Sequence, residues 1–362
     1  MDLWRISPEG GEPEQMTSID TQLTQVAVID ARTPLYIARG PDQSGPCLYA
    51  MDVTRKVSER ATLGVESYTS VSASRDGRQI VATVTNPAAQ LREVRLSASG
   101  PAPDAHPFPV ARSRAFAPRL AGPALFYLAP SGVSNALWRA LGNSSVEVWR
   151  ADGSALVGPP AISRDGTQAA VVLRQGASGR LTLVAINGGE SRSLGGGIDA
   201  RGNATWSPDG HWIAVGGSDA AGPGLFKVPV DGGQPVRLGT AEAVNPVWSP
   251  GGRLIVFEGL SVAAGRPLLA VTPDGTSVPL PGLTVSGENA GHHRFLPNGS
   301  GLVYVAKSDF WLLDFGTGTS RQLTQLTEPG VIGTFDVASD GRSIVFDQWV
   351  GDSNIVWIER AE

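Results

Sequence analysis

A four-residue turn that returns every forty-odd residues constrains this chain more than any other feature. Ser207-Pro208-Asp209-Gly210 is its fullest form. Ser74-Arg75-Asp76-Gly77, Ser163-Arg164-Asp165-Gly166, Ser249-Pro250-Gly251-Gly252, Leu296-Pro297-Asn298-Gly299 and Ala338-Ser339-Asp340-Gly341 repeat it with substitutions. Two copies are worn: Ile29-Asp30-Ala31-Arg32 before PLYIA, and Ala117-Pro118-Arg119 before ALFYL. The first positions are 29, 74, 117, 163, 207, 249, 296 and 338, so the steps run 45, 43, 46, 44, 42, 47 and 42. Proline at the second place presets φ for a β-turn, and glycine at the fourth relieves the crowded exit. A chain with this period repeats one small unit along its length.

The unit at 204–240, ATWSPDGHWIAVGGSDAAGPGLFKVPVDGGQPVRLGT, shows what that unit is. It reads as four strands: a at 204–207, b at 211–216, c at 225–230 and d at 235–238. Asp231-Gly232 is a hairpin signal between c and d. Four short strands at a period in the forties describe a β-propeller blade. Eight such units nearly exhaust 362 residues. The expected fold is all-β: a single closed propeller domain over 1–362, with eight four-stranded blades. Seven is the alternative, because the unit at 19–64 has lost its turn motif.

Composition agrees. Gly (45) and Pro (27) are abundant, yet 41% of residues are hydrophobic and fall in short alternating runs, which favours many strands and turns over disorder. With 29 basic and 34 acidic residues the formal charge is −5, which argues against a nucleic-acid partner. No apolar run approaches eighteen residues, so no helix is expected to enter a membrane. The lone Cys47 offers neither an internal disulfide nor a thiolate zinc site.

At the level of these motifs the units resemble the WD40-like (PD40) repeats of the TolB type, marked by Ser-Pro-Asp-Gly before an apolar strand. LWRISPEGGEPEQMT and LFKVPVDGGQPVRL match the c–d half of such repeats, and ESYTSVSASRDGRQIVATV is similar to propellers at the C-terminal end of bacterial sensor kinases and regulators. The resemblance spans nearly the whole chain and thins at 19–45 and 110–150. It implies a bacterial propeller that binds a peptide, protein or small molecule, with the sensor end of a larger kinase or regulator as a further expectation. Both 3–6 (LWRI) and 355–358 (IVWI) read as strand c, one more than eight blades need. Met1 is therefore expected to be an internal start of a longer natural protein. The N-terminus lacks a basic region followed by an apolar one, so no signal peptide is read here; a longer protein leaves an extracytoplasmic location open. A monomer is expected.

In a propeller the a strands line the channel, with a–b and c–d turns on one face and d–a and b–c loops on the other. Turn aspartates are thus architectural, bonding their own backbone. The d–a entries are where function is expected. Tyr68, Arg114, Asn203 and Asn289, with Trp349 in DQWVGDSN on a b–c loop, are the candidate ligand contacts. Glu66, Glu242, Asn245, Glu288 and Asp336 are the candidate metal ligands, since converging oxygens suit a hard cation such as Ca²⁺. His292 is the candidate catalytic base, its alternative being one packed and one exposed histidine in the His292-His293 pair. These give two readings: a binding module using the channel mouth, or a metal-assisted hydrolase of esters, lactones or phosphotriesters. Gly216-Gly217-Ser218-Asp219-Ala220 lacks the strand-to-helix elbow of a nucleophile, and Asp314-Phe315-Gly316 lacks every other kinase motif. Trp206 and Trp248, and on c strands Trp138, Trp311 and Trp357, are expected to pack between blades.

Overall fold

The computed structural model describes residues 2–17, 23–38, 46–61, 67–97, 100–112, 114–131, 134–151, 154–175, 178–188, 190–262, 265–285 and 293–359. Among them there is no helix, and so none that could cross a membrane. Each of the thirty-three named strands has an antiparallel partner, in four sheets of four strands, three of five and one of two.

The chain opens with a hairpin of β1 (Trp4–Arg5) and β2 (Glu14–Gln15). A meander follows: β3 (Leu23–Asp30), β4 (Thr33–Ala38), β5 (Cys47–Asp52) and β6 (Val57–Arg60). Next come β7 (Ser67–Ala73), the long β8 (Gln79–Arg95) and β9 (Ala105–Pro107). Then four-stranded meanders succeed one another. The first is β10 (Phe116–Ala121), β11 (Ala124–Ser131), β12 (Ser134–Leu141) and β13 (Ser144–Arg150). The second, five-stranded, is β14 (Ala155–Leu156), β15 (Ala161–Ile162), β16 (Gln168–Gln175), β17 (Ser178–Ala185) and β18 (Arg192–Ser193). The third is β19 (Asp199–Trp206), β20 (Trp212–Asp219), β21 (Gly222–Pro229) and β22 (Val236–Gly239). The fourth is β23 (Val244–Trp248), β24 (Ile255–Glu258), β25 (Arg266–Val271) and β26 (Ser277–Val278), with β27 (Thr284–Val285) also on β25. The fifth is β28 (His293–Phe295), β29 (Gly301–Ala306), β30 (Asp309–Asp314) and β31 (Ser320–Gln322). Last are β32 (Val331–Val337) and the long β33 (Ser343–Glu359).

All eight expected a–b hairpins are present: β3-β4, β7-β8, β10-β11, β15-β16, β19-β20, β23-β24, β28-β29 and β32-β33. Their turns are built as the sequence indicates. Ser163 Oγ bonds Asp165 at 2.6 Å and accepts the Gln168 N–H at 3.0 Å, while Gly166 N–H closes on the Ser163 carbonyl at 2.9 Å. Gly77 has φ 68°, and a Cβ there would sit 1.9 Å from the Ile29 carbonyl oxygen.

Eight hairpins do not make eight sheets. β8 runs unbroken over seventeen residues, and so does β33, which takes in 355–358, read from sequence as a strand c. As a result two hairpins share one sheet, ordered β32-β33-β8-β7 with β9 also on β8. The described residues thus form seven sheets of four or five strands and one two-stranded hairpin.

By contacts the chain divides into two compact units, 1–88 with 351–362, and 89–350. The smaller unit holds the β1-β2 hairpin, the β3–β6 sheet, β7 and the facing parts of β8 and β33. Its core includes Leu35, Ile37, Leu48, Ile80 and Val84, with Val356 and Ile358 packed on them. In the larger unit β10, β15, β19, β23, β28 and β32 each pack beside the next, and β32 returns to β10. The sheet at that return consists of β32, 343–350, 89–95 and β9, with Leu96 N–H bonded to the Arg342 carbonyl at 2.8 Å. Apolar clusters fill the spaces between successive sheets; one includes Phe310, Phe335 and Phe346, whose rings meet edge-on at 5.0 and 5.2 Å.

Candidate functional site

The innermost strands of the larger unit carry a buried polar girdle. It begins with a repeated backbone device. β10, β19, β23 and β32 each contain a bulge, and in three of them a residue adopts positive φ: Ala117 at 55°, Gly202 at 69° and Asn245 at 52°. A bulge turns a peptide group out of the ladder and so frees a donor for another sheet. Asn203 N–H reaches Asn245 Oδ1 at 3.0 Å, and Ala117 N–H reaches Asp347 Oδ2 at 2.6 Å.

Two acids anchor this girdle from second strands. Asp347 accepts from Ala117 N–H, from Thr334 N–H (2.8 Å) and Oγ1 (3.1 Å), and from Trp349 Nε1 (3.0 Å). Burial raises its carboxyl above the usual value, and these donors pull it back. Glu258, 1% exposed, receives Asn245 Nδ2 on Oε2 at 3.0 Å. Its Oε1 faces His293 Nδ1 at 3.5 Å without a hydrogen bond. His293 is wholly buried, and neither ring nitrogen has a partner among the described residues; the Asn203 side-chain amide has none on either atom. Beside it Arg294 Nη1 bonds the His293 carbonyl at 2.8 Å, with Nε 3.9 Å from Asp336 Oδ1. Arg119, lowered to about 9 by burial, donates to the Pro118 and Phe335 carbonyls at 2.6 and 3.2 Å.

The expected site residues distribute as follows. Asn203 and Asn245 lie in the girdle. Asp336 also does, but as a fastener: Oδ2 accepts the Leu120 N–H at 2.8 Å and Oδ1 its neighbour Val337 N–H at 3.0 Å. Glu242 pairs with Arg266 at 3.3 Å. Trp349, read as lying on a loop, is in β33; its ring tilts on Phe116 with centroids 5.6 Å apart. Arg114 is exposed, with φ 63°. Tyr68 belongs to the smaller unit and is 5% exposed within its core. Glu66, Glu288, Asn289 and His292 lie outside the described residues. Among those described, no three His, Cys, Asp or Glu side chains come together as a metal group. A cavity of about 680 Å³, lined by Asp30, Arg32, Asp52, Arg55 and Glu59, lies in the smaller unit and not at the girdle.

Sequence reading missed Glu258, His293, Asp347 and Arg119. A signal existed for the two acids: each ends an apolar run, Ile255-Val256-Phe257-Glu258 and Ile344-Val345-Phe346-Asp347, nine residues after its turn begins. Of the tryptophans expected to pack between blades, Trp206, Trp248, Trp138 and Trp311 join core clusters, and Trp206 Nε1 bonds the Ala161 carbonyl of the preceding sheet at 2.8 Å. Trp357 is the exception, at 59% exposure, because its outward face is uncovered.

Successive antiparallel meanders whose first strands gather innermost define a β-propeller protein. Among solved structures the chain is similar to TolB from Acinetobacter baumannii, at 12% identity and TM-score 0.47, over 93% of this chain and 81% of that one. It is also similar to an oligogalacturonate lyase in complex with manganese, at 13% identity and TM-score 0.45, over 96% of both chains. The nidogen/laminin complex gives 13% identity and TM-score 0.46, over 66% of this chain and 94% of that one. No family model matches the chain. No curated protein matches it either.

Proposed function

We propose that this chain is a binding module whose larger unit takes a small polar ligand at the inner strands. The observation that carries the reading is the set of buried polar atoms without a partner among the described residues: Glu258 Oε1, both nitrogens of His293, and both side-chain polar atoms of Asn203. Leaving such an atom unpaired costs about 1–3 kcal/mol, so native structures satisfy them with protein, water or ligand. Asp347, with the same offset from its turn, has all its partners from the chain itself. The larger unit is read within this proposal as a closed propeller sealed by 89–95 and β9. The eight-blade expectation is met only as eight first hairpins.

A calcium-assisted hydrolase using Glu66, Glu242, Asn245, Glu288 and Asp336, with His292 as base, has less support. Of its described members, Glu242 is held by Arg266, Asn245 by Asn203 and Glu258, and Asp336 by backbone donors.

The test is a thermal-shift and calorimetric screen of the full chain against neutral sugars, sugar acids, amino acids and dipeptides, each at millimolar concentration. The expected result is at least one compound that raises the melting temperature of the parent and not of Glu258→Gln or His293→Ala. Failure of every compound, or equal binding to both variants, overturns the reading.

A further inference from the structure

Three inner strands of the larger unit carry a charge at the same register position. Arg119 in β10 is opposite Phe126, Arg294 in β28 opposite Val303, and Asp336 in β32 opposite Val345. Each partner is the third residue of the second strand of its hairpin. β32 packs against both β10 and β28, so the strand with the acid stands between the two with cations. In β15, β19 and β23 the residues two before the turn are Ala161, Thr205 and Val247, all neutral. This level of the inner strands therefore holds two cations and one acid.

The two guanidiniums meet β32 at adjoining residues. Arg119 Nη1 donates to the Phe335 carbonyl at 3.2 Å, and Arg294 Nε lies 3.9 Å from Asp336 Oδ1. Asp336 is shared further, since it also accepts the Leu120 and Val337 N–H groups. Asp347 and Glu258 act on these cations from farther off, and neither makes an ion pair with them among the described residues. Burial lowers Arg119 to about 9, and the charge of Arg294 adds to the effect. A buried cation without a close carboxylate of its own is stabilised by an anion brought from outside.

Donors are in surplus as well. A guanidinium has five N–H groups. Arg119 uses those of Nη1, on the Pro118 and Phe335 carbonyls, and Arg294 uses one, on the His293 carbonyl. Nε and Nη2 of both make no hydrogen bond among the described residues, although Arg119 is 7% exposed and the Arg294 side chain 13%.

We infer that Arg119 and Arg294 bind an oxyanion, the acidic group of the ligand taken by the larger unit. The inference rests on the binding-module reading and adds the charge that the ligand carries. Paired N–H groups of a guanidinium match two oxygens of a carboxylate or phosphate, a geometry that lysine does not reproduce.

Isothermal titration calorimetry on the full chain, at constant ionic strength, compares glycerol with glycerate and glucose with glucuronate. Inorganic phosphate probes the arginine pair without the rest of a ligand. At least one acid should bind, with its neutral counterpart about tenfold weaker or silent. Tighter carboxylates assign the group as a carboxylate and tighter phosphate assigns it as a phosphate ester; either supports the inference. Arg294→Met should lower the affinity for the acid about tenfold or more, and Arg294→Lys should recover it only in part. Arg164→Met removes the same charge from an exposed turn and should change nothing. If Arg294→Met fails to fold by circular dichroism, the loss in Arg294→Lys carries the comparison. Equal affinity for an acid and its neutral counterpart overturns the inference and leaves the binding-module reading standing. So does acid binding that survives substitution of Arg294. Silence from every acid and from phosphate also overturns it, whereas the module reading falls only if the wider screen above fails too.

Discussion

Asp347 and Glu258 stand at the same offset, nine residues past the start of their turns, yet one carboxylate is saturated and the other is not. Among the described residues Asp347 has four donors, from Ala117, Thr334 (twice) and Trp349; Glu258 has one, from Asn245. One acid has been spent on holding sheets together, and the other has capacity left.

Asp347→Ala is therefore expected to destabilise the larger unit strongly. It strands two backbone N–H groups and the Trp349 indole in the interior, so a loss of about 3–5 kcal/mol is expected. Urea denaturation followed by tryptophan fluorescence measures it; a loss below about 1 kcal/mol would show that water replaces the carboxylate.

His293→Leu should behave in the opposite way. The histidine is buried with neither nitrogen partnered among the described residues, so an apolar replacement removes an unmet demand instead of creating one. The expected change lies between neutral and a gain of about 1 kcal/mol, by the same denaturation curve. Lost ligand response at retained or improved stability is the signature of a residue kept for binding.

The turns predict an acid limit to stability. Hydrogen bonds from Ser74, Ser163 and Ser207 hold Asp76, Asp165 and Asp209 below the ordinary carboxylate value, with backbone N–H groups assisting. A depressed folded-state pKa contributes stability that is fully present above the unfolded pKa, near 3.8, and is lost as pH falls through the folded one. Melting temperature should thus be flat at neutral pH and drop as pH falls below about 4. Ser74→Ala, Ser163→Ala and Ser207→Ala combined should lower the plateau and shallow the acid drop.

Two turn glycines with nearly equal φ should respond unequally to alanine. Gly210, at φ 76°, has open space around its Cβ position, so only the left-handed backbone cost of about 1 kcal/mol applies. Gly77, at φ 68°, would drive its Cβ into the Ile29 carbonyl oxygen, and should lose at least about twice as much. Thermal melts of Gly210→Ala and Gly77→Ala make the comparison directly.

Local chemistry explains which parts of this architecture could be read in advance. The turns announce themselves because Ser, Asp and Gly act on their own neighbours within six residues; even the worn copies at Ile29 and Ala117 form hairpins. The continuity of β8 and β33 was hidden for the converse reason. Asn86-Pro87 and Gly351-Asp352 carry turn chemistry in the sequence, yet β8 and β33 run straight through them. The girdle was half legible. Asn203 and Asn245 stood out as amides entering first strands, but Glu258 and Asp347 looked like the polar ends of apolar runs. His293 was overshadowed by its neighbour His292, because strand register decides which of two adjacent side chains points inward.

The pairing of 89–95 with 343–350 sets a timetable for synthesis. Five meanders of the larger unit can form as they leave the ribosome, since each is built from neighbouring residues. The sixth must wait, holding a strand made early until its partner arrives some two hundred and fifty residues later. Throughout that interval Val94, paired only with the short β9, lacks the late-made Val303, Phe310, Phe335 and Phe346 of its core cluster. The nascent chain is thus an open arc with one sticky end, most exposed to misassembly just before its final repeat emerges, and dependent on that repeat to seal it.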